Sequence, residues 1–510
     1  MPTWHEEPRG IANTPTCNAN IANGQFLPLI PFGLLVLITT LLSYLFRINH
    51  LLKGTPAEVR RLSSERWTPE LLSKAYNNLG RCSVDYNDEL PPKLNRRYMV
   101  TGGNGLVGGY IILQLLARGT PPKSIRIIDI RKTERDDMLA GQATLVDFIQ
   151  TDIVSKPSVD KAFSKPWEPS IAHLPLTVFH TAAVIIPSAR SKHLYKFPEA
   201  VNVQGTKNIL AASRAAGADI FSSTSSASIS IRPVKVFTSP WARHLPHYWQ
   251  ILDDQDFFKP LRRHEEYFGN YPFSKAVAER LVCAENESSF RTGCIRPANG
   301  VYGNPTDNPV GSLLVNKAHP TWIPHIVQNF AHGANVAIAH LHHEAVLAGD
   351  YCPQAGKPFV VTDPGPPITY GDLYTAIEVL SIRPFRTITL PPIVVLIVSI
   401  IIEWYILLPY RFPYIKQFIP EVKGDVKKLQ PGLFSICTHL IASDGEARKP
   451  ITDGGLGYKG VLTTMQGVVM EIMAWNQEQV NEQNGGEKKA YTSSVSLGER
   501  IQQLGADTLS

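Results

Sequence analysis

Clustered cysteines and blocks of like charge are both absent from this sequence, and each absence excludes a class of protein. The six cysteines lie far apart, at positions 17, 82, 283, 294, 352 and 437, without a C-x-x-C pair or a Cys/His spacing typical of zinc ligands. A disulfide framework and a metal site are therefore not expected. The net charge is only +6, and no basic tract with interleaved aromatic residues occurs. Nucleic acid is accordingly not an expected partner.

Long apolar runs are present, and the first follows a polar N-terminus. Residues 1–25 are polar and are predicted to form a disordered luminal tail, whereas residues 26–46 carry no charged side chain. A run of this length can cross a bilayer as one helix. An uncleaved anchor is favoured over a cleaved signal peptide, because the N-terminus is acidic and a small-residue cleavage site is lacking. Basic residues such as Arg47 and Lys53 follow the run, so the positive-inside rule places the rest of the chain in the cytoplasm.

The segment after the anchor, residues 47–95, is predicted to be a basic linker. From residue 47 to residue 97 there are ten Lys/Arg and six Asp/Glu. Such a segment can lie on anionic lipid headgroups, and a solvated helical linker is an equally good interpretation. Pro91 and Pro92 mark the end of the linker, and the cofactor domain is predicted over residues 96–387.

One stretch, residues 98–129, has the pattern of a strand, a glycine-rich turn, a helix and a second strand. Gly102 lets the chain reverse, Gly105 removes the side chain where a pyrophosphate approaches the backbone, and Gly108 lets the helix lie close to the strand. The positive end of that helix favours the pyrophosphate. Asp129 can bind both adenosine ribose hydroxyls, which favours NAD over NADP, while Arg131 keeps NADP possible.

Strands and helices continue to alternate after this stretch. Strands are predicted over residues 145–149, 176–183 and 218–230, with a helix over residues 201–217. This alternation predicts an α/β fold with a doubly wound parallel sheet, whose ligands bind beyond the carboxyl ends of the strands. Asp152 follows one such end, where it can bind the adenine amino group or simply cap the next helix.

The catalytic residues are predicted to lie at the end of the strand over residues 218–230, where several hydroxyl side chains follow one another. Tyr271 and Lys275 stand four residues apart at the start of a helical pattern, so both side chains project from one face. A phenol titrates too high for a base at neutral pH, and a nearby ammonium lowers its pKa and can hold the nicotinamide ribose. Ser226 is the favoured third member, which polarises the substrate oxygen, and Ser225 and Thr224 are the alternatives.

The glycine spacing G-x-x-G-x-x-G resembles the extended branch of the short-chain dehydrogenase/reductase superfamily, which has a Rossmann sheet. The wider set of motifs resembles the 3β-hydroxysteroid dehydrogenase/isomerase family, and within it the sterol-4α-carboxylate 3-dehydrogenases (decarboxylating) and their fungal relatives. The resemblance extends over residues 96–475, and its motifs are TGGNGLVG at 101–108, VFHTAA at 178–183, VNVQGTKNIL at 201–210, STSSAS at 223–228, YPFSK at 271–275 and IRPANGVYG at 295–303.

The resemblance implies catalytic roles for Tyr271, Lys275 and Ser226. It places Arg296 and Pro297 at the nicotinamide pocket, and Asn202 on the helix beside the active site. The predicted cofactor-binding residues are Gly102, Gly105, Leu106, Val107, Gly108, Asp129, Asp152, Ala182, Tyr271, Lys275 and Pro297.

Two segments each allow two interpretations. Residues 227–270 form an aromatic and basic insertion longer than the family pattern, which is either a lid over a large apolar substrate or a surface insertion. Residues 388–409 are apolar but contain Pro391, Pro392 and Glu403. A charge at mid-bilayer is costly and both flanks of the segment are basic, so a monotopic or re-entrant segment is favoured over a full crossing, with a buried core helix as the alternative. Residues 410–475 are predicted to complete a smaller substrate lobe, and residues 476–510 to be a disordered tail.

The leading hypothesis is an NAD-dependent oxidoreductase of the endoplasmic reticulum membrane with a cytoplasmic catalytic domain. It would oxidise the 3β-hydroxyl of a sterol, steroid or triterpenoid, with loss of a 4-carboxylate where one is present. One alternative is a ketone reductase or epimerase of the same branch, and another is a catalytically silent cofactor-sensing scaffold. A homodimer or a complex with other sterol enzymes is possible.

Overall fold

The computed structural model describes residues 29–81 and 84–487, together with residues 489, 491 and 495. The expected luminal tail, residues 1–25, lies outside the described residues. The helices are α1 (Leu29–Leu51), α2 (Ala57–Leu62), α3 (Pro69–Leu79), α4 (Leu106–Ala117), α5 (Lys156–Ser164), α6 (Lys196–Pro198), α7 (Thr206–Ala215), α8 (Asn270–Ala284), α9 (Gly311–Leu314), α10 (Gly333–Leu347), α11 (Tyr370–Leu380), α12 (Pro392–Arg411), α13 (Asp425–Lys428), α14 (Leu433–Ile436), α15 (Gly445–Arg448) and α16 (Thr464–Gln483).

The strands alternate with these helices through most of the chain. They are β1 (Arg97–Thr101), β2 (Ile125–Asp129), β3 (Asp147–Gln150), β4 (Leu176–His180), β5 (Ala218–Thr224), β6 (Trp249–Leu252), β7 (Arg291–Pro297), β8 (Val301–Tyr302), β9 (Ala318–Thr321), β10 (Val327–Gln328), β11 (Ala331–His332), β12 (Pro358–Val361), β13 (Ile368–Thr369), β14 (Arg386–Thr389) and β15 (His439–Ala442).

The main sheet has seven strands in the order β3-β2-β1-β4-β5-β7-β12, and every neighbouring pair is parallel. Because β1 and β4 are neighbours while the chain runs outward to β3 in between, the strand order reverses beside β1, and a ligand crevice forms there. The predicted doubly wound parallel sheet is therefore confirmed. Strands β1, β2 and β4 are buried on both faces, which explains their near-continuous apolar sequences.

Some predicted boundaries differ from the structure. The strand expected over residues 145–149 begins two residues later, at Asp147, because residues 141–145 form a short 3₁₀ turn. The strand expected over residues 218–230 ends at Thr224, and the serines after it form a turn. The helix expected over residues 201–217 opens as a π-helical turn, Glu199–Gly205, before α7. These shifts leave the order of elements unchanged.

A smaller sheet, β13-β10-β15-β6, forms the second lobe together with α11 and α16. The predicted linker contributes to this lobe, because α3 packs against α11 and α16 and buries Leu72 completely. An ion pair between Arg66 and Asp372, 2.6 Å long, fastens the start of α3. The expectation of a simple linker is thus wrong for α3. The tail expected from residue 476 is also wrong at its start, since α16 continues to Gln483.

Two of the described helices are long and apolar enough to cross a membrane by length and composition, over Pro31–Leu51 and Pro392–Arg411. The first helix is almost entirely exposed, because only 6% of its apolar stretch is buried in the protein. In the second helix 28% of the apolar stretch is buried. Helix α12 lies against the domain that contains the main sheet, where the Arg190 guanidinium donates to both carboxylate oxygens of Glu403 at 2.8 and 2.7 Å. The rings of His193 and Tyr410 stack at 5.4 Å near its C-terminal end. One face of helix α12 is thus buried against the protein and the other face is exposed, so a fully buried core helix is excluded.

Candidate active site

The turn between β1 and α4 requires glycine at two of its three predicted positions. Gly102 has a φ of +68°, and a Cβ there would lie 2.7 Å from the backbone nitrogen of Ala182. A Cβ on Gly108 would lie 2.3 Å from the carbonyl oxygen of Gly102. Gly105, Leu106 and Val107 line a cavity beside the turn. The close approach of backbone on one side and open space on the other fits a dinucleotide phosphate on the N-terminus of α4.

Asp129 closes β2 at one end of this cavity. Its two carboxylate oxygens accept hydrogen bonds from the backbone N–H groups of Asn104 and Arg131, each at 3.0 Å. Burial raises the pKa of Asp129, and these hydrogen bonds oppose that rise. Each oxygen retains acceptor capacity for a ribose hydroxyl. The Arg131 side chain lines the same end, and its Nε has no hydrogen-bond partner among the described residues.

Asp152 lines the cavity close to Asp129, together with residues 151–154. Its role as a helix cap is wrong, because Ser155 holds that place and accepts from the backbone N–H of Ser158. Asp152 instead accepts from the backbone N–H of Val154 at 2.9 Å. Binding of an adenine amino group by Asp152 stays a prediction.

Tyr271, Lys275 and Ser226 meet at the carboxyl ends of β5 and β7, and all three line the cavity with Ala182 and Pro297. Lys275 Nζ donates to the carbonyl oxygen of Thr224, the last residue of β5, at 2.8 Å. Ser226 lies close enough to Tyr271 for its side chain to lower the pKa of the phenol. Helix α8 begins at Asn270, so its first two turns carry both the tyrosine and the lysine on one face.

The two alternatives to Ser226 are engaged elsewhere. Ser225 donates to Glu279 Oε2 at 2.6 Å, and the Thr224 hydroxyl pairs with His340 Nε2 at 2.8 Å. Ser226 also has a partner, because its hydroxyl donates to Ser228 Oγ at 2.8 Å, but it is the one of the three whose side chain affects the pKa of Tyr271.

Burial is the main cause of the pKa shifts of Tyr271 and Lys275. It raises the pKa of Tyr271 to about 12, and the side chain of Ser226 opposes that rise. It lowers the pKa of Lys275 to about 8, and Cys294 and Glu279 oppose that fall. In this arrangement the Lys275 ammonium bonds the Thr224 carbonyl and desolvation of the phenol prevails, so a lowering of the Tyr271 pKa by Lys275 stays a prediction.

Arg296 does not line the cavity, contrary to the expectation drawn from the resemblance. Its side chain is 1% exposed and forms a bidentate pair with Glu279, with distances of 2.8 and 2.5 Å, and an ion pair with Asp256 at 2.6 Å. Since Glu279 lies on α8 and also accepts from Ser225, this network fixes the catalytic helix to β5 and β7. The pattern was not detected from the sequence, because no short spacing joins these residues.

Two further side chains hold the strand ends beside the site. Asn202 accepts from the backbone N–H of Val184 at 2.9 Å and donates to the Val184 carbonyl and to Ser274 Oγ, each at 3.0 Å. His180 bridges Thr101 and Thr206 at 2.7 and 2.9 Å. Burial lowers the pKa of His180 to about 3, so it stays neutral. The VFHTAA motif contains this histidine, although its role could not be deduced from the motif.

The cavity has a volume of about 870 Å³ and continues beyond the catalytic residues to an apolar half. This volume lies in the range of about 300–1,000 Å³ typical of small-molecule sites. Trp322, Ile323 and Tyr370 line the apolar half and also pack in the cluster that contains Ile48 of α1 and Leu396 of α12. The cavity wall is therefore continuous with the two long apolar helices.

The insertion, residues 227–270, contributes only Ser228 and Phe268 to the cavity lining in the described structure. Its central loop packs on the end of α1 instead, where Tyr44 donates to the Thr238 carbonyl at 2.7 Å and Arg47 to the Ala242 carbonyl at 2.6 Å. The lid interpretation is therefore wrong for this loop, which is a surface insertion packed against the end of α1.

Comparison with known proteins supports the same reading of the motifs. Residues 99–243 match the model of the 3-beta hydroxysteroid dehydrogenase/isomerase family, and residues 174–319 match an NAD-binding model described as male sterility protein. The resemblance to the 3β-hydroxysteroid dehydrogenase/isomerase family is thus confirmed. An oxidoreductase that acts on a CH–OH group with a nicotinamide cofactor is consistent with these matches.

The similar curated proteins are distant. The chain is 29% identical over 213 residues to 3 beta-hydroxysteroid dehydrogenase type 7 of Mus musculus. The aligned region covers 40% of this chain and 50% of that protein. It is 26% identical over 268 residues to the sterol-4-alpha-carboxylate 3-dehydrogenase, decarboxylating, of Homo sapiens, which covers 50% of this chain and 60% of that protein. The chain thus spans about half the length of the curated relatives that it matches.

Among solved structures, the epimerase Mth375 of Methanothermobacter thermautotrophicus aligns with a TM-score of 0.50 and 15% identity. The alignment covers 76% of this chain and 94% of that one. At this identity the similarity shows the fold alone, which is a doubly wound parallel sheet.

Proposed function

We propose that this protein is an NAD-dependent dehydrogenase that oxidises the 3β-hydroxyl of a sterol, steroid or triterpenoid to the 3-ketone. The observation that carries the proposal is the position of Tyr271, Lys275 and Ser226, which lie between the glycine-cradled half and the apolar half of one cavity. A hydroxyl on a large apolar ligand in the second half would face a cofactor in the first half. The similarity to 3β-hydroxysteroid and sterol-carboxylate dehydrogenases supports this substrate class.

In this mechanism the side chains manage the proton and the oxygen, and NAD supplies the hydride acceptor. Tyr271 accepts the proton of the substrate hydroxyl as the hydride leaves its carbon, and Ser226 donates a hydrogen bond to the same oxygen. Lys275 lies one helical turn from the tyrosine, where its ammonium can stabilise the phenolate and hold the nicotinamide ribose. A substrate with a carboxylate on the adjacent carbon becomes a β-keto acid, which loses carbon dioxide because the ketone accepts the electrons.

The competing functions are separable by one assay. The apolar wall formed by Trp322, Ile323 and Leu433 does not suit a sugar nucleotide, which disfavours the epimerase alternative. The complete catalytic set disfavours a silent scaffold. Membranes that carry the full chain should form NADH from 3β-hydroxysterols and release carbon dioxide only from those with a 4-carboxyl group. Absence of NADH formation with every sterol of such a panel would contradict the proposal.

Cofactor choice is predicted to depend on Asp129. Replacing Asp129 with serine removes the carboxylate that would bind the ribose hydroxyls and repel a 2′-phosphate, so NAD should bind about tenfold more weakly and NADP more tightly. Arg131 lies at the same end and can then reach the phosphate. Titration of both cofactors against the wild type and the variant, followed by protein fluorescence, measures the change. A wild type that already prefers NADP would refute this role of Asp129.

We also propose that α1 spans the endoplasmic reticulum membrane and that α12 lies at its cytoplasmic surface without crossing. The ion pair between Arg190 and Glu403 supports this, because it joins the middle of α12 to the catalytic domain. The outer face of α12 exposes Val394, Ile401 and Trp404. Trp241 of the insertion is 87% exposed beside the end of α1, at the position where an aromatic side chain would meet the lipid headgroups.

The predicted topology has a direct test in sealed microsomes. Protease added outside should digest the chain beyond Arg47, including the region after α12, because both lie in the cytoplasm. Asn286 begins an Asn-Glu-Ser sequon and is exposed, so it would be open to glycosylation in the lumen. Because the proposed topology places it in the cytoplasm, it should carry no glycan. Protection of the C-terminal region would indicate that α12 crosses, and a glycan on Asn286 would indicate the reverse orientation. A homodimer or a complex with other sterol enzymes stays a prediction.

A further inference from the structure

Two hydroxyl groups lie together on the wall of the apolar half of the cavity. Thr321 ends β9, Tyr374 lies on α11, and their side-chain oxygens are 2.9 Å apart. Both residues line the cavity, and both are buried, at 1% and 5% exposure. Neither β9 nor α11 carries a catalytic residue, so this wall is distinct from the catalytic one.

This pair has one more O–H group than its hydrogen bonds use. Each hydroxyl has one hydrogen, and one of the two is used in the bond between Thr321 and Tyr374. The other contact, from the backbone N–H of Ile323 to Thr321 Oγ1 at 3.3 Å, brings a further donor rather than an acceptor. Within residues 29–81 and 84–487 the pair makes no other hydrogen bond. Whichever hydroxyl donates within the pair, one O–H is left without an acceptor.

The neighbouring hydroxyls on the cavity lining are satisfied, which sets this pair apart. Tyr370 donates to Gln328 Oε1 at 3.2 Å, and Ser312 donates to the Asn308 carbonyl at 2.6 Å. A buried donor without an acceptor costs free energy, which a ligand acceptor in the cavity would recover.

The surroundings of the pair select a neutral acceptor. Its neighbours on the lining include Pro320 and Trp322, and burial lowers the pKa of the adjacent His319, which favours the uncharged imidazole. The lining of this half contains no Lys or Arg in the described structure, while Asp307 lies on it. A carboxylate would therefore gain no counter-charge there, whereas a ketone or hydroxyl oxygen would meet the free O–H.

We propose that the substrate carries a ketone or hydroxyl oxygen at the end remote from its 3β-hydroxyl, and that Thr321 and Tyr374 bind it. This inference rests on the proposed function and narrows its substrate class to oxygenated steroids, sterols or triterpenoids, as opposed to those that end in a hydrocarbon side chain.

The test compares ligands that differ only in the remote oxygen. Equilibrium binding to the full-length protein in detergent is measured with two matched pairs, a 3β-hydroxyandrostene with and without a 17-ketone, and cholesterol with and without a 25-hydroxyl. The oxygenated member of at least one pair should bind about tenfold more tightly to the wild type, as one recovered hydrogen bond implies. Equal affinities within both pairs would overturn the inference.

A double variant and a matched control locate the effect. Thr321→Val with Tyr374→Phe removes both hydroxyls, so the preference should fall to about onefold while the deoxy ligand binds as before. Tyr370→Phe with Ser312→Ala removes two satisfied hydroxyls from the same cavity and should keep the preference. A double variant that keeps the preference overturns the inference, and if that variant does not fold, the wild-type pairs still decide. Failure of all four ligands to bind would overturn the proposed function as well, whereas equal binding overturns only this inference.

Discussion

Replacement of Tyr271 by phenylalanine is expected to lower kcat for oxidation of the 3β-hydroxyl by about 10³-fold, within the range of about 10²–10⁴ for loss of a general base. The ring and its packing are preserved, so only the phenolic oxygen that would accept the proton is lost. Cofactor binding should change little, because the glycine turn and Asp129 are untouched. Steady-state kinetics of NADH formation, together with a cofactor titration followed by fluorescence, separate the two effects.

Tyr267 provides the matched control for this variant. It lies four residues before Tyr271 in the chain and is buried, but it does not line the cavity and packs against the guanidinium of Arg262 instead. Tyr267→Phe should therefore leave kcat within about twofold of the wild type, since no step of the mechanism uses its hydroxyl. Near-normal turnover by Tyr271→Phe would contradict the assignment of the base.

Replacement of Arg296 by methionine is expected to lower the free energy of unfolding by about 3–5 kcal/mol, which is typical when one partner of a buried ion pair is removed. The guanidinium is 1% exposed between Glu279 and Asp256, so the variant leaves the Glu279 carboxylate buried without its counter-charge. Because Glu279 also accepts from Ser225, activity should fall together with stability. Urea unfolding followed by tryptophan fluorescence measures the first effect, and NADH formation measures the second.

A double variant tests the physical cause of this loss. If an unpaired buried charge is responsible, Arg296→Met with Glu279→Leu should lose less stability than the sum of the two single changes. Arg214 forms ion pairs with Glu285 and Glu287 at the surface, and its replacement by methionine should have little effect. Additive losses at Arg296 and Glu279 would indicate that packing, rather than charge pairing, accounts for the destabilisation.

The cofactor half of the site could be predicted from the sequence, because its determinants are local. Gly102 has a left-handed backbone conformation, and Gly108 lies so close to the Gly102 carbonyl that a side chain would clash with it. Both requirements for glycine arise within one turn. Tyr271 and Lys275 share a face because they are four residues apart on a helix. The alternating strand and helix patterns predicted the parallel sheet. A helix that links two strands carries the chain back to the end of the sheet where the first strand began, so the second strand runs parallel to it.

Contacts between residues distant in the chain could only be determined from the tertiary structure. Glu279 meets Arg296 across 17 residues, and Arg190 meets Glu403 across 213. The same is true of the insertion, whose aromatic residues suggested a lid but which packs on the end of α1, and of α3, which docks on the second lobe. Periodicity reveals which side chains of a segment are apolar, but the partner of that apolar face depends on the position of the other elements.

The substrate end of the cavity illustrates the same limit most clearly. Thr321 and Tyr374 are 53 residues apart, and neither lies in a motif of the family. The sequence by itself determined the sheet, the glycine turn and the shared helix face of Tyr271 and Lys275, because backbone conformation and helical spacing are set by neighbouring residues. Only the tertiary structure decided what surrounds the substrate, because hydrogen-bond satisfaction inside a cavity depends on side chains that several separate elements bring within 3 Å of one another.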